Sequence, residues 1–329
     1  MTGIAAPRRQ RRFSLGSRTG STTVTLGLLV LLFAGGSLRY PGFFSGQVVL
    51  NLFVDNSFLI VLAVGMTFVV LTGGLDLSVG SVVGLTNVVA AVLLRAGWTS
   101  PWAIIVMILI GSTMGLLVGL AIHYFDIQPF VATLIAMFLG RGLCYVLSPN
   151  SVSINDPFFV QMAQSQLPVG FGFVISPSVI IAVVVVAVAI FALHFTRFGR
   201  TVYAIGGGAQ SARLMGLSVA RTRVLVYVIS GFCASIAGVL FSFYTLSGDS
   251  GAGIGMELDA IAAVVIGGTI LTGGSGYVLG SLFGVLVLGT IDSIISFDGT
   301  LSAWWAQILT GTLLLFFVLL QRLVIARKR

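Results

Sequence analysis

The chain has 329 residues, of which 57% are hydrophobic and only 8% charged, with a formal net charge of +8. A soluble domain carries about 25% charged residues, so water is not the main solvent of this chain. The positive charge reads as membrane topology and contact with anionic lipid, and no nucleic-acid partner is expected.

Crossing a hydrocarbon core of about 30 Å takes about 20 apolar residues in a helix. Barrel strands would alternate polar and apolar residues, and the runs here do not. The expected fold is therefore all-α, a polytopic helical membrane protein with about ten spans and an internal repeat. In chain order the spans are residues 22–38, 47–72 (long, with a break near Asn56), 77–95, 101–122, 129–148, 176–195, 222–246, 257–272, 278–296 and 302–321. Residues 1–21 form a basic tail, 22–322 the membrane domain and 323–329 a basic C-terminus. The Arg- and Ser-rich tail superficially suits a targeting segment, but a retained cytoplasmic tail explains it more simply because many spans follow.

With the N-terminus inside, the inner side receives Arg8, Arg9, Arg11, Arg12, Arg18, Arg197, Arg200, Arg213, Arg221, Arg223, Arg322, Arg327, Lys328 and Arg329. Only Arg39 and Arg95 fall outside, and Arg141 lies within a span. This is the positive-inside pattern. Trp98, Trp102, Trp304 and Trp305 then all sit at the outer interface, where amphipathic rings settle. Both termini are expected in the cytoplasm.

Two loops are long. The outer one (148–176) begins polar and holds three prolines. The inner one (196–223) is basic, and Ala209, Gln210, Ser211, Ala212, Arg213, Leu214 and Met215 form a good helical run. A glycine triplet precedes that run and Gly216 is placed to end it. Such a helix suits either a lid over lipid headgroups or a handle for a partner.

LTGGLDLSVGSVVG at 71–84 returns as LTGGSGYVLGSLFG at 271–284. Gly73-Gly74 and Gly273-Gly274 are free to turn the chain at positive φ. Gly80 with Gly84, and Gly280 with Gly284, each share a helix face that allows close helix contact. A weaker echo relates Leu75-Asp76, Val82 and Gly84 to Leu258-Asp259, Val265 and Gly267. The first alignment relates elements of one orientation and the second opposed ones; transporters carry both kinds of repeat. LTGG is not the LSGGQ signature of a transport ATPase, since it lies between apolar spans. The only lysine, Lys328, is close to the chain end, so no GxxxxGK[ST] phosphate loop exists.

Asp76, Arg141, Glu257, Asp259 and Asp292 fall in or at the ends of spans. Ionisable groups there are costly and face a cavity or one another. Arg141 against Asp259 or Asp292 is one expectation, a structural ion pair. The other is an outer cluster lining the entry of a polar, uncharged solute, with Asn87 and Gln307 as further hydrogen-bonding groups. His123 and His194 have no Cys or carboxylate cluster at ligand spacing, so neither a metal nor a catalytic site is expected. Cys144 and Cys233 lie in separate apolar runs and read as packing residues.

GMTFVVLTGGLDLSVGSVVGL, RFGRTVYAIGGGAQSARLMGLSV and MELDAIAAVVIGGTILTGGSG, in this order, resemble the permease subunits of bacterial ribose-type sugar ABC importers. Within that family NLFVDNSFLIVLAVGMTFV (51–69), GAGIGMELDAIA (251–262) and FDGTLSAWW (297–305) are most similar to the galactofuranose permease. The resemblance spans about residues 40–322; the long basic tail departs from it. It implies an inner-membrane, pathway-forming permease domain without enzymatic activity or cofactor of its own. ATP and Mg would sit on a separate ATPase, a second permease chain would complete the pathway (a different chain as in galactofuranose-type importers, or a copy of this one as in ribose-type importers), and a periplasmic binding protein would deliver a monosaccharide. The 196–223 loop with Ala209–Gly216 would couple to the ATPase. Ribose or another monosaccharide, an ion-coupled secondary carrier, and a non-transporting scaffold are the alternatives; the few intramembrane acids argue against the carrier.

Overall fold

The computed structural model describes residues 20–170, 172–302 and 304–326. The basic tail before Gly20 and Arg327, Lys328 and Arg329 lie outside the described residues. In chain order the elements are α1 (Gly20–Arg39), α2 (Gly46–Asp55), α3 (Ser57–Leu71), α4 (Val79–Arg95), α5 (Ser100–Tyr124), α6 (Pro129–Leu147), β1 (Val152–Ser153), α7 (Pro157–Gln164), β2 (Leu167–Gly170), β3 (Phe173–Ile175), α8 (Pro177–Phe195), α9 (Arg197–Leu214), α10 (Val219–Thr245), β4 (Ser247–Gly248), α11 (Met256–Ile266), α12 (Val278–Asp298) and α13 (Trp304–Ala326). Proline opens α5, α6, α7 and α8, where its fixed φ and missing N–H suit the first turn.

The chain is an all-α, multi-pass membrane protein. Seven helices (α1, α5, α6, α8, α10, α12 and α13) contain stretches long and apolar enough to cross a membrane, and α2 with α3 forms an eighth, bent by 58°. The bend falls at Asn56, whose side-chain amide donates to the Leu52 carbonyl at 2.9 Å. Local bonding of this kind competes with the helix, and the long second span is broken where the sequence placed the break. The other two of the ten expected spans are α4 and α11, only 17 and 11 residues long. At 1.5 Å per residue they reach about 26 Å and 17 Å, short of the hydrocarbon core.

The bundle is built around α10, the longest helix. It runs antiparallel to α5: Gly111 lies against Gly231, Gly115 against Tyr227 and Gly119 against Val224. Lipid is as apolar as the side chains, so close packing of small residues holds such helices together. Antiparallel packing also puts Trp98 and Trp102, beside the start of α5, at the opposite end of the bundle from Arg221 and Arg223 of α10. These ends are called below the tryptophan side and the arginine side. α1 and α13 lie at the periphery, with 11% and 6% of their apolar windows buried.

The short helices α4 and α11 are continued by irregular backbone inside the bundle. Asp76, in the turn before α4, bonds Ser230 in the middle of α10, so this turn lies at membrane depth. Beyond α10, β4 pairs antiparallel with β1, and the chain then re-enters along α4. Gly248 packs on Ala91, the Ala252 carbonyl on Gly84 and the Gly253 carbonyl on Gly80. Backbone of this kind is tolerated in a membrane only where protein covers it.

The seam between α5 and α10 yields a stability prediction. A Cβ on Gly115 would stand 2.2 Å from the Tyr227 carbonyl oxygen, whereas one on Gly142 meets nothing within 4 Å. Gly115→Leu should cost at least the 1–3 kcal/mol typical of overpacking, seen as a lower melting temperature or loss of the monodisperse peak in detergent. Gly142→Leu should leave both unchanged.

Candidate functional site

The break between α2 and α3 opens onto a cavity of about 500 Å³. Asn51, Asp55, Asn56 and Phe58 come from the broken pair, Tyr244 from α10, and Met256 and Asp259 from the start of α11. Gly289, Asp292, Ser293, Ser296 and Phe297 of α12 form the remaining wall. Tyr244 and Phe297 are the penultimate residues of α10 and α12, which places the cavity towards the tryptophan side.

Three carboxylates, Asp55, Asp259 and Asp292, line this cavity, and none has a hydrogen-bond or ion-pair partner among the described residues. Asp259 stands in the first turn of α11 together with Glu257, where the helix dipole favours negative charge. Unpaired acceptors beside Phe58, Tyr244 and Phe297 suit a ligand that offers many O–H donors and an apolar ring face. Sequence reasoning found Asp259 and Asp292 but missed Asp55, Asn51, Ser293, Ser296 and the three aromatics. An acid one residue before the expected break was the available signal; the serines and aromatics carry none without the helix register.

The other expected pathway residues lie elsewhere. Asp76 is 1% exposed, and its carboxylate accepts from the Ser78 N–H at 3.0 Å, the Ser78 hydroxyl at 2.5 Å and the Ser230 hydroxyl at 2.7 Å. It ties the unwound turn to α10. Asn87 donates to the Ser242 hydroxyl at 2.9 Å and the Ser247 carbonyl at 2.8 Å, and accepts from the Asp249 N–H at 3.0 Å. It pins the re-entrant segment. Gln307 is exposed on α13 and does not reach the cavity.

Arg141 meets neither Asp259 nor Asp292. Its guanidinium donates to the Ala252 carbonyl, and its Nη2 is buried without a partner, as is Oε2 of Glu257. The cause is the small-residue face of α4: a Cβ on Gly84 would strike the Ala252 carbonyl and Arg141, and one on Gly80 would strike Glu257. Lacking Cβ atoms, these glycines open a groove that takes the re-entrant backbone and draws both charged side chains to α4.

The two repeated turns touch each other. The Gly274 N–H donates to the Leu71 carbonyl at 2.9 Å, and a Cβ on Gly273 would stand 2.7 Å from the Gly73 nitrogen. Gly73, Gly273 and Gly274 have φ of +80°, +85° and +78°, a region that favours glycine. Gly74 is instead kept small by the Tyr227 hydroxyl. Gly280 and Gly284 pack on the Gly267 and Ala263 carbonyls. A third glycine joins the two turns: the Cβ position of Gly206 in α9 lies 2.0 Å from the Leu71 carbonyl oxygen and 2.1 Å from the Gly274 nitrogen.

α9 occupies most of the loop in which a short helix was expected. Gly208 interrupts it with non-helical backbone; the chain is helical again to Leu214, and Gly216 closes it at φ +75°. Ala212 is buried with Ile205 and Val219. On the opposite face Leu214 is 85% and Met215 67% exposed on the arginine side.

Together these features define a helical membrane permease: broken helices around a polar cavity, with an apolar handle on the opposite side. The family described as "Branched-chain amino acid transport system / permease component" matches residues 48–318. The chain is 45% identical over 300 residues to the inner membrane ABC transporter permease protein YjfF of Escherichia coli K12, covering 91% of each chain. It is 41% identical over 329 residues to the fructose import permease protein FruG of Bifidobacterium longum, covering 98% of this chain and 96% of that one. With the ribose import permease protein RbsC of Escherichia coli K12 it shares 36% over 296 residues, 88% and 90% of the two chains. No solved structure matches this chain. The chain belongs to this permease family; it is a transport component and not an enzyme.

Arg141 and Glu257 are opposite charges set against the same small-residue face of α4 without bonding each other directly. Leaving one of two compensating buried charges alone costs about 3–5 kcal/mol, while replacing both is often neutral. Arg141→Leu should therefore lower expression and thermal stability sharply, and adding Glu257→Leu should restore most of both. Adding Asp259→Asn or Asp292→Asn instead should restore neither, as thermostability of detergent-purified protein would report.

Proposed function

We propose that this chain is the pathway-forming subunit of an ATP-driven importer of a monosaccharide, and that the sugar is galactofuranose. The observation that carries the reading is the cavity at the α2–α3 break, with three unpartnered carboxylates beside aromatic rings. Sugar hydroxyls donate to the carboxylates and to the Asn and Ser oxygens, and the C–H face of the ring lies on the aromatics. The curated relatives named for fructose and ribose import support the substrate class. The finer reading is supported by where the most diagnostic segments fall. Residues 51–69 supply Asn51, Asp55, Asn56 and Phe58, residues 251–262 supply Met256 and Asp259, and residues 297–305 supply Phe297.

In this reading the arginine side is cytoplasmic, with both termini on it, and the membrane is the bacterial inner membrane. ATP and Mg belong to a separate ATPase, which takes the exposed Leu214 and Met215 into a cleft. A second, different permease chain packs on this one, and a periplasmic binding protein delivers sugar at the tryptophan side. The glycine turns act as hinges: Gly206 hands a displacement of α9 to both of them.

The test is uptake by the reconstituted assembly, with labelled galactofuranose, fructose and ribose compared. Galactofuranose should be taken up preferentially. Asp259→Asn and Asp292→Asn should each lower uptake roughly tenfold or more, as loss of a hydrogen bond to a charged group does. Leu214→Asp should remove the ATPase from the co-purified complex while leaving the permease folded. Preference for fructose or ribose would replace the sugar, and uptake indifferent to both aspartates would take the cavity off the pathway.

A further inference from the structure

We propose that Asp55, Asp259 and Asp292 make the permease itself a charge filter, which admits neutral and aminated solutes to the cavity and turns away acids and phosphates. The inference rests on the cavity being the solute's entry, as above, but needs no particular sugar. Three observations carry it. All three carboxylates face one cavity of about 500 Å³, and no Lys or Arg lines it. Arg141, the intramembrane cation the sequence offered as counter-charge to Asp259 or Asp292, is held against Ala252 at the re-entrant segment instead. The cavity is also built to take a polar guest: Asn56 is 8% exposed, its amide nitrogen donates to Leu52, and its side-chain oxygen accepts from no described residue.

A low-dielectric cleft lined by one sign of charge focuses its field and shifts the local concentration of small ions by 10- to 1,000-fold. Asp76 shows the alternative in the same molecule. There three donors meet the carboxylate, and it is buried. The three cavity aspartates lack such partners, so their field is directed at whatever enters. A carboxylate accepts from hydroxyls and ammonium groups alike but has no donor to offer an anion. Selection by charge would thus act in the permease, separately from whatever protein delivers the solute.

The probe is a pair of methanethiosulfonates of similar size, one bearing a trimethylammonium group and one a sulfonate. Ser293→Cys places a thiol in the cavity, and Gln166→Cys, in the exposed loop on the same side, supplies the intrinsic ratio of the two rates. The native Cys144 and Cys233 are buried, and the unsubstituted protein gives their background. At Cys-substituted Ser293 the cationic reagent should react at least about 10-fold faster than the anionic one, after division by the loop ratio. The triple change Asp55→Asn, Asp259→Asn and Asp292→Asn should bring that ratio near one. Should the triple variant fail to fold, Asp292→Asn alone should lower it partway. Equal corrected rates in the unsubstituted cavity would overturn the proposal, and so would a ratio unmoved by Asp292→Asn. Because the reagents are not sugars, a negative result here is separable from the uptake test: a filter without uptake of galactofuranose, fructose or ribose would overturn the sugar assignment and leave this one standing.

Discussion

Everything in this molecule depends on one constraint: irregular backbone placed inside a bilayer must be covered by other backbone. The turn before α4, the segment after β4 and the turn after α11 all leave helical geometry within the bundle. Lipid offers no hydrogen bonds, so these stretches survive only where protein satisfies and encloses them. Large side chains would hold the covering elements apart. Glycines at positions 73, 80, 84, 206, 253, 267, 273, 280 and 284 let main chain meet main chain directly, and Asn87, Asp76 and Arg141 supply the bonds that hold the uncovered ends.

That constraint also separates the charged groups into two kinds. Asp76, Arg141 and Glu257 stand where the irregular backbone is fastened, Asp76 buried and the other two half-buried against α4. Asp55, Asp259 and Asp292 stand where the broken helices leave a gap, and no protein group answers them among the described residues. A single sequence class, the intramembrane acid, thus covers a fastening and a cavity-facing surface. Position in the fold distinguishes the two where residue type does not.

The sequence made the membrane class, the break at Asn56 and most helix positions legible, because apolar run length and a polar interruption are local signals. The number of full spans was not. α4 and α11 look like spans because their apolar runs continue into buried irregular segments, and composition reports burial without reporting helix. Pairing was equally hidden: Arg141 goes to the Ala252 carbonyl because two glycines on α4 open a groove there, a three-dimensional fact. The cavity was half visible. Asp259 and Asp292 announce themselves as charges in apolar runs, whereas Phe58, Tyr244 and Phe297 are indistinguishable from lipid-facing aromatics until the register is known.

The doubled glycine turn has a physical reason in this arrangement. A turn that must press its backbone against a second copy of itself needs positive φ and no Cβ on both sides, so the same short solution appears twice. Two such turns back to back form a contact with few side chains to interlock, and Gly206 of α9 lies across it. The contact is tight enough to seal a membrane interior. It joins the exposed handle at Leu214 and Met215 to α3 directly, and through α12 to the wall that carries Asp292. The exposed end of α9 and the cavity are thus linked through main chain, and the side chains that line the cavity take no part in that link.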